Sequence, residues 1–402
     1  MSPSTASGHA QSRRTARRSG DIPELCPGEG VVRSGAAYVL RADDYPFRCP
    51  PATQLRRREQ YLVVRRLARV CASLACIVAA AAYGATAANP RAPGEYLDHA
   101  LALMRANAIV TPAKGWPTVT REARKMAARA RRPADAYGAI IFALDQLRQA
   151  GDVHEGFTNP LTAKLEAQAA KRAGTVPTPP PAVSLAHGRL GLVEVPAIAS
   201  LPSTPNARRY VSSALSNISV LQTQSDPCGW IIDLRENTGG DMYPMLLGVG
   251  PLLGDGPLIG FTGRKGFRYY VSYRDGALSG GGYTDRAPVV VPAFSPAPPV
   301  AVLTGPTTAS SGEAVTVAFR GRANTRSFGA ATGGVTTAPQ TYHLVDGAEI
   351  SFSVSDYVDH NGVIYDHAIA PDAPVAQNLP DSAAEQAAEQ WLLSTPQCSQ
   401  HS

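Results

Sequence analysis

Three short segments combine residue types that can carry out chemistry. The first, Gly151-Asp-Val-His-Glu-Gly-Phe157, places a histidine between two acidic residues at the end of an apolar helical stretch. Such a histidine can act as a general base whose proton affinity its neighbours adjust, although the ordinary reading of the segment alone is a surface histidine. The second, Trp230-Ile-Ile-Asp-Leu-Arg-Glu-Asn-Thr-Gly-Gly-Asp241, is a buried strand running into paired glycines. A turn of this kind frees backbone N–H groups to converge on an anionic centre, as an oxyanion hole or a phosphate loop requires, and otherwise is only a turn. The third, Val302-Leu-Thr-Gly-Pro-Thr-Thr-Ala-Ser-Ser-Gly-Glu-Ala-Val315, passes from a strand through small residues into a helix that starts near Ser311. A serine there faces the helix dipole and free N–H groups, which favour a developing negative charge. Ser310 and Glu313 equally fit a plain capping box.

The elements that must hold these segments follow from hydrophobic spacing. Residues 95–109, 119–131 and 135–150 carry apolar positions at helical intervals, Leu97, Leu101 and Met104 in the first and Ile140, Leu144 and Leu147 in the last. They predict a small helical N-terminal domain over 88–160. A polar stretch ending in Thr178-Pro-Pro-Pro181 predicts a linker over 161–185. Beyond it, short apolar runs bounded by Gly and Pro at 190–195, 229–234, 289–291, 300–303, 327–328 and 349–354 read as strands. Helical stretches at 207–221 and 311–320 lie between them, so 186–402 reads as an α/β domain closed by a helix at 382–393.

At 44% hydrophobic and 17% charged residues, the 402-residue chain has the apolar content for a sizeable core and is not a disordered polymer. The net charge of +6 invites a nucleic-acid partner, but the first 87 residues carry 13 Arg, no Lys and 6 acidic groups, and the remainder is close to neutral. No nucleic-acid function is therefore expected. Arg65, Arg66 and Arg69 precede the apolar stretch Val70 to Tyr83, followed by small residues at Ala85 and Ala87. This pattern predicts a signal peptide over 63–87 and export to the periplasm or the exterior. The alternative is a membrane anchor formed by the uncharged residues 70–88. Residues 1–62 read as a disordered tail or a misassigned start. Of six cysteines only Cys228 and Cys398 follow the leader, which leaves one long-range disulfide or two thiols.

Taken together, the three segments resemble peptidase family S41, the C-terminal processing proteases with their tricorn-like and retinoid-binding-protein-like relatives. The likeness runs from about residue 93 to 375. Asp233-Leu-Arg-Glu-Asn-Thr-Gly-Gly240 is similar to the family's Asp-Leu-Arg-x-Asn-x-Gly-Gly, and Thr308-Ala-Ser-Ser-Gly-Glu313 to its nucleophile element. Gly329 to Gly334 and Ile369-Ala-Pro-Asp372 are similar to two later elements. The resemblance implies a crotonase/ClpP-like α/β core, Ser310 as nucleophile, His154 as base, and the amides of Gly240 and Ser311 as oxyanion hole. Members with a Ser/Lys pair place a lysine after the Thr-x-Gly element, where this chain has Thr332-Gly-Gly-Val335, so a Ser/His pair is implied. Asp366 and Glu349 are candidates for orienting the histidine. Only about 30 residues separate Phe157 from the first strand, against roughly 80 to 100 for a small domain, so no PDZ module is implied.

The expected function is that of an exported serine-type peptidase acting on peptides or protein tails without a cofactor. The rivals are a non-catalytic binding protein for apolar ligands on the same scaffold and a serine hydrolase of non-peptide esters or amides. His343, His360 and His367 with Asp359 and Asp366 lack the tight spacing of a metal site, and none is expected.

Overall fold

Runs of consecutive apolar residues too short for helices set the centre of the fold, and amphipathic helices cover them. The computed structural model describes residues 93–173, 178–200, 203–266, 268–289, 291, 294–295, 297–376, 380 and 382–399. The leader or anchor, the upstream tail and their cysteines lie outside the described residues. Among the described residues no helix is long and apolar enough to cross a membrane.

The described residues open with α1 (Pro93–Asn107), α2 (Trp116–Met126) and α3 (Tyr137–Gln149), followed by β1 (Gly156–Thr158) and α4 (Pro160–Ala173). Much of the expected 161–185 linker is therefore helix. Its Ala, Leu, Lys, Glu and Gln are strong helix formers whose weak apolar face made the stretch look like a spacer. Then come β2 (Ala182–Ala186), β3 (Leu190–Glu194), α5 (Pro205–Ser225) and β4 (Gly229–Asp233). Thr204 caps α5 by accepting the Ala207 amide, Pro205 occupies its first turn, and Asp226 ends it in the left-handed region.

After the short helices α6 (Met242–Gly248) and α7 (Gly250–Leu253), four strands follow: β5 (Gly256–Gly263), β6 (Arg268–Arg274), β7 (Ala277–Gly280) and β8 (Tyr283–Arg286). Of the expected strand at 289–291, Val289 lies in a bend and Val291 has no ladder partner among the described residues, and residue 290 lies outside them. The chain continues through β9 (Val300–Thr304), α8 (Ser311–Phe319), β10 (Thr325–Gly329), β11 (Thr337–His343) and β12 (Glu349–Asp359). It ends with β13 (Ile364–Tyr365), β14 (Ala373–Pro374), α9 (Ser382–Leu393) and α10 (Pro396–Ser399).

One sheet has the order β14-β10-β9-β4-β3-β2 and is parallel except at β2/β3. Both of its faces are covered, which is why its strands are apolar without interruption. Trp230, Ile232, Val300 and Val302 point into one core with Tyr210 of α5, Met245 of α6 and Val315 of α8. Ile231, Ala301 and Leu303, at the alternate positions, point into a second core with Ala384, Ala388 and Leu392 of α9. Cys228 and Cys398 lie in that second core and form a disulfide with Cα atoms 4.9 Å apart, which decides between bridge and thiols.

The other sheet has the order β1-β12-β5-β6-β7-β8, with β11 and β13 also paired to β12, and its pairings are antiparallel. The N-terminal helices do not close a core of their own. Leu97, Met104, Ile140 and Leu147 pack with Ile350 and Phe352 of β12 in a single cluster. The expected helical domain is thus a layer against this sheet, and the loop after α3 is held at β12.

Candidate active site

Ser310 stands between β9 and α8, at φ 53° and ψ −118°. A non-glycine residue at positive φ is uncommon and costs about 1–3 kcal/mol, so its surroundings must impose it. An ordinary N-cap has extended backbone, so capping alone does not account for this geometry. The surroundings are specific. Thr308 donates its hydroxyl to the Leu234 carbonyl at 2.8 Å, and the Ala309 amide donates to Asn237 O at 3.0 Å. The Ser310 amide donates to Glu313 Oε2 at 2.9 Å. The buried Tyr357 phenol meets the Ser310 side chain, its ionisation pushed well up by burial and by the nearby Glu313.

The paired glycines lie directly against this turn. Gly239 and Gly240 have φ of 105° and 117°. A Cβ on Gly239 would come within 2.8 Å of the Ser310 Cβ, and one on Gly240 within 2.1 Å of the Ile198 carbonyl oxygen. Only glycine fits either position. Asn237 builds the turn: its side chain donates to the Val195 carbonyl at 2.9 Å and accepts the Gly239 amide at 2.9 Å. Ser311 donates its hydroxyl to the Gly240 carbonyl at 2.7 Å, which ties the glycine turn to the start of α8. Among the described residues, the amides of Gly240 and Ser311 have no hydrogen-bond partner.

Glu313 is fully buried and is the meeting point of the later sequence elements. Besides Ser310, it accepts the Thr332 hydroxyl at 2.5 Å and the amides of Gly334 and Val335 at 2.8 and 2.7 Å. Burial pushes its carboxyl up to about 7 against the four donors that draw it down. The Thr332 hydroxyl also accepts the Ile369 amide at 2.8 Å, so the Ile-Ala-Pro-Asp turn is fastened to the same point. Asp372 at its end accepts the Ser327 amide and hydroxyl and pairs with Arg320, a structural use.

His154 is 5% exposed, and its loop is sewn to β12. Its amide donates to Asp152 Oδ1 at 2.9 Å and its carbonyl accepts the Ser351 hydroxyl at 3.1 Å. Nδ1 lies 2.9 Å from Thr337 Oγ1 and 3.2 Å from Ser353 Oγ. Burial lowers the imidazole to about 4, so the ring is neutral at pH 7. Among the described residues no hydrogen bond joins His154 to Ser310. The two halves are linked through the backbone from Val335, whose amide shares Glu313 with that of Ser310, to Thr337, which touches the imidazole.

Neither carboxylate expected to orient the histidine reaches it. Asp366 is exposed and pairs with His367, and Glu349 pairs with His343 at the other end of β12. The groups on the imidazole are hydroxyls, with Asp152 behind them. Its position two residues before the histidine was visible in the sequence, whereas Thr337 and Ser353 lie 183 and 199 residues away with no local signal. Asp359, considered for a metal site, instead accepts the Asn361 and Val363 amides. Among the described residues no group of three or more His, Cys, Asp or Glu converges as a metal site would require.

Residues 189–375 match the sequence model for Peptidase family S41, which spans the glycine turn, the Ser310 turn and the elements on Glu313. This segment belongs to peptidase family S41. The S41 match begins after His154, so the histidine comes from outside it. A nisin-resistance protein of Lactococcus lactis subsp. lactis is 30% identical over 166 residues, 41% of this chain, and the match spans half the length of that relative. A lipoprotein from Streptococcus agalactiae aligns over 76% of this chain and 97% of its own, with a TM-score of 0.56 and 21% identity. A photosystem II D1 C-terminal processing protease aligns over 73% and 95%, with a TM-score of 0.52 and 15% identity. The likeness to these two structures is one of α/β fold.

Proposed function

We propose that the chain is an exported serine-type peptidase in which Ser310 is the nucleophile, His154 the base, and the Gly240 and Ser311 amides the oxyanion hole. The observation that carries this reading is the strained Ser310 backbone beside two amides with no hydrogen-bond partner among the described residues. That arrangement supplies donors where charge develops, at the start of a helix whose dipole favours it. His154 takes the Ser310 proton as Oγ attacks the carbonyl carbon. The tetrahedral oxyanion sits on the two amides, the protonated imidazole returns the proton to the leaving amine, and water resolves the acyl-enzyme by the same route. Catalytic hydrogen bonds commonly tighten only when substrate binds, which accommodates the missing His154–Ser310 bond.

The family supports peptides or protein tails as the substrate class. Export is supported by the leader pattern before residue 88, by the Cys228–Cys398 disulfide, which persists in oxidising compartments, and by the lipoprotein relative.

A fluorophosphonate probe on the purified chain tests the site. The wild type is expected to be labelled at Ser310, and Ser310→Ala and His154→Ala to lose the label. Labelling that persists in Ser310→Ala overturns the nucleophile, and a folded wild type that takes no label favours a binding protein. A peptide library then distinguishes a peptidase from an esterase.

A further inference from the structure

We propose that Asp152, acting through the hydroxyls of Ser353 and Thr337, fixes the ring orientation and tautomer of His154, with the proton on Nδ1 and the Nε2 lone pair free. This rests on the Ser/His reading above and assigns its positioning residues. The proton count of the network carries it. Asp152 is 2% exposed and is surrounded by donors: the His154 amide at 2.9 Å, the Ser353 amide at 3.0 Å, the Glu155 amide and the Ser353 hydroxyl at 2.8 Å. A carboxylate so surrounded acts only as an acceptor, so the Ser353 hydroxyl must spend its one proton on it. Ser353 Oγ is then an acceptor toward both remaining neighbours, Thr337 Oγ1 at 2.9 Å and His154 Nδ1 at 3.2 Å. Thr337 donates to Ser353 and accepts from Nδ1 at 2.9 Å.

In this assignment each short contact holds one proton. With the proton on Nε2 instead, the Ser353 contact to Nδ1 would face lone pair against lone pair. If Thr337 then turned its hydroxyl to Nδ1, the 2.9 Å contact between the two hydroxyl oxygens would hold no proton either. Ser353 is 1% exposed, so the hydroxyl cannot trade its partner for bulk water. The tautomer of a histidine is set by the bond its other nitrogen makes, and here that bond leaves Nε2 bare as the proton acceptor.

The arrangement depends on an irregular register. Thr337 is the ladder partner of Asp356, not of Ser353, and the β11/β12 register shifts between Ala338 and Pro339. That irregularity brings Thr337 to Ser353 across the ladder, as bulges beside active sites re-aim side chains. Asp152 is the charged group on this side of the imidazole; Glu155, next to the histidine in the chain, pairs with Arg148, and Glu313 is held by the Ser310 and Val335 amides. Burial pushes the Asp152 carboxyl up while its four donors draw it down; in the proposed cycle the proton taken from Ser310 resides on Nε2.

Nitrogen-15 spectra of the full chain labelled at histidine, at pH 7, read the tautomer directly, with His154→Gln assigning the signal. Nδ1 protonated and Nε2 bare is expected; a proton on Nε2 overturns the proposal without any variant. Fluorophosphonate labelling supplies the second reading. Thr337→Val, Ser353→Ala and Asp152→Asn are expected to slow labelling at least ten-fold, and Thr337→Ser to restore it. Labelling of Thr337→Val and Ser353→Ala within two-fold of wild type also overturns it. If His154→Gln labels as fast as wild type, the Ser/His reading fails, and the spectra still decide the tautomer.

Discussion

Glu313 holds the backbone of Ser310: its Oε2 accepts the Ser310 amide at 2.9 Å while the same carboxylate takes three donors from residues 332–335. The serine turn is thereby fixed to the strand that leads to the histidine. Its strained conformation is imposed from the carboxylate side and from the glycine side at once.

Strain at Ser310 has a measurable sign. Ser310→Gly and Ser310→Ala both remove the hydroxyl, but only glycine is relaxed at φ 53°. Urea unfolding should find Ser310→Gly more stable than Ser310→Ala by about 1 kcal/mol.

Gly240 tests the oxyanion amides. Its replacement by alanine sets a Cβ 2.1 Å from the Ile198 carbonyl oxygen and forces the backbone aside. Gly240→Ala should label with fluorophosphonate at least about 100-fold more slowly than wild type. Circular dichroism checks that the variant is folded.

His154 gives a pH dependence. Its folded-state value of about 4 lies below the ordinary 6.5, so between these values the unfolded chain binds the proton first. Stability from this group is fully present above pH 6.5 and is lost as the pH falls toward 4. His154→Gln should show a shallower loss over that window in urea titrations at several pH values. By the same value the acid limb of the labelling rate should fall near pH 4 rather than 6.5.

The disulfide contributes through the unfolded chain. Cys228 and Cys398 are 170 residues apart, a loop for which the chain-entropy account gives about 5 kcal/mol. The Cys228→Ser/Cys398→Ser double variant, or the wild type under reductant, should unfold at correspondingly lower urea concentration.

The parallel sheet and Ser310 turn were legible because β4, β9 and the glycine turn are local patterns: continuous apolar strands ending in small residues. The antiparallel strands β5 to β8 were not, since their hairpins are rich in glycine, Gly260 interrupts the buried apolar run of β5, and β7 and β8 bury only single residues. Helix α4 was hidden by its polar composition. At the site, His154 and Ser310 could be picked out by their immediate neighbours, while Thr337 and Ser353 could not. Their relation to the imidazole exists only after β11 and β12 pair, and even then depends on a shifted register that no local spacing encodes.

The Cys228–Cys398 bridge encloses β4 through α9, including Ser310, Glu313 and the hydroxyls on the imidazole. A single cut of the backbone anywhere inside this span therefore leaves both fragments covalently joined. For the peptidase proposed above, damage inflicted by neighbouring copies would remain a nick within one molecule, invisible on a non-reducing gel and revealed only when the thiols are released.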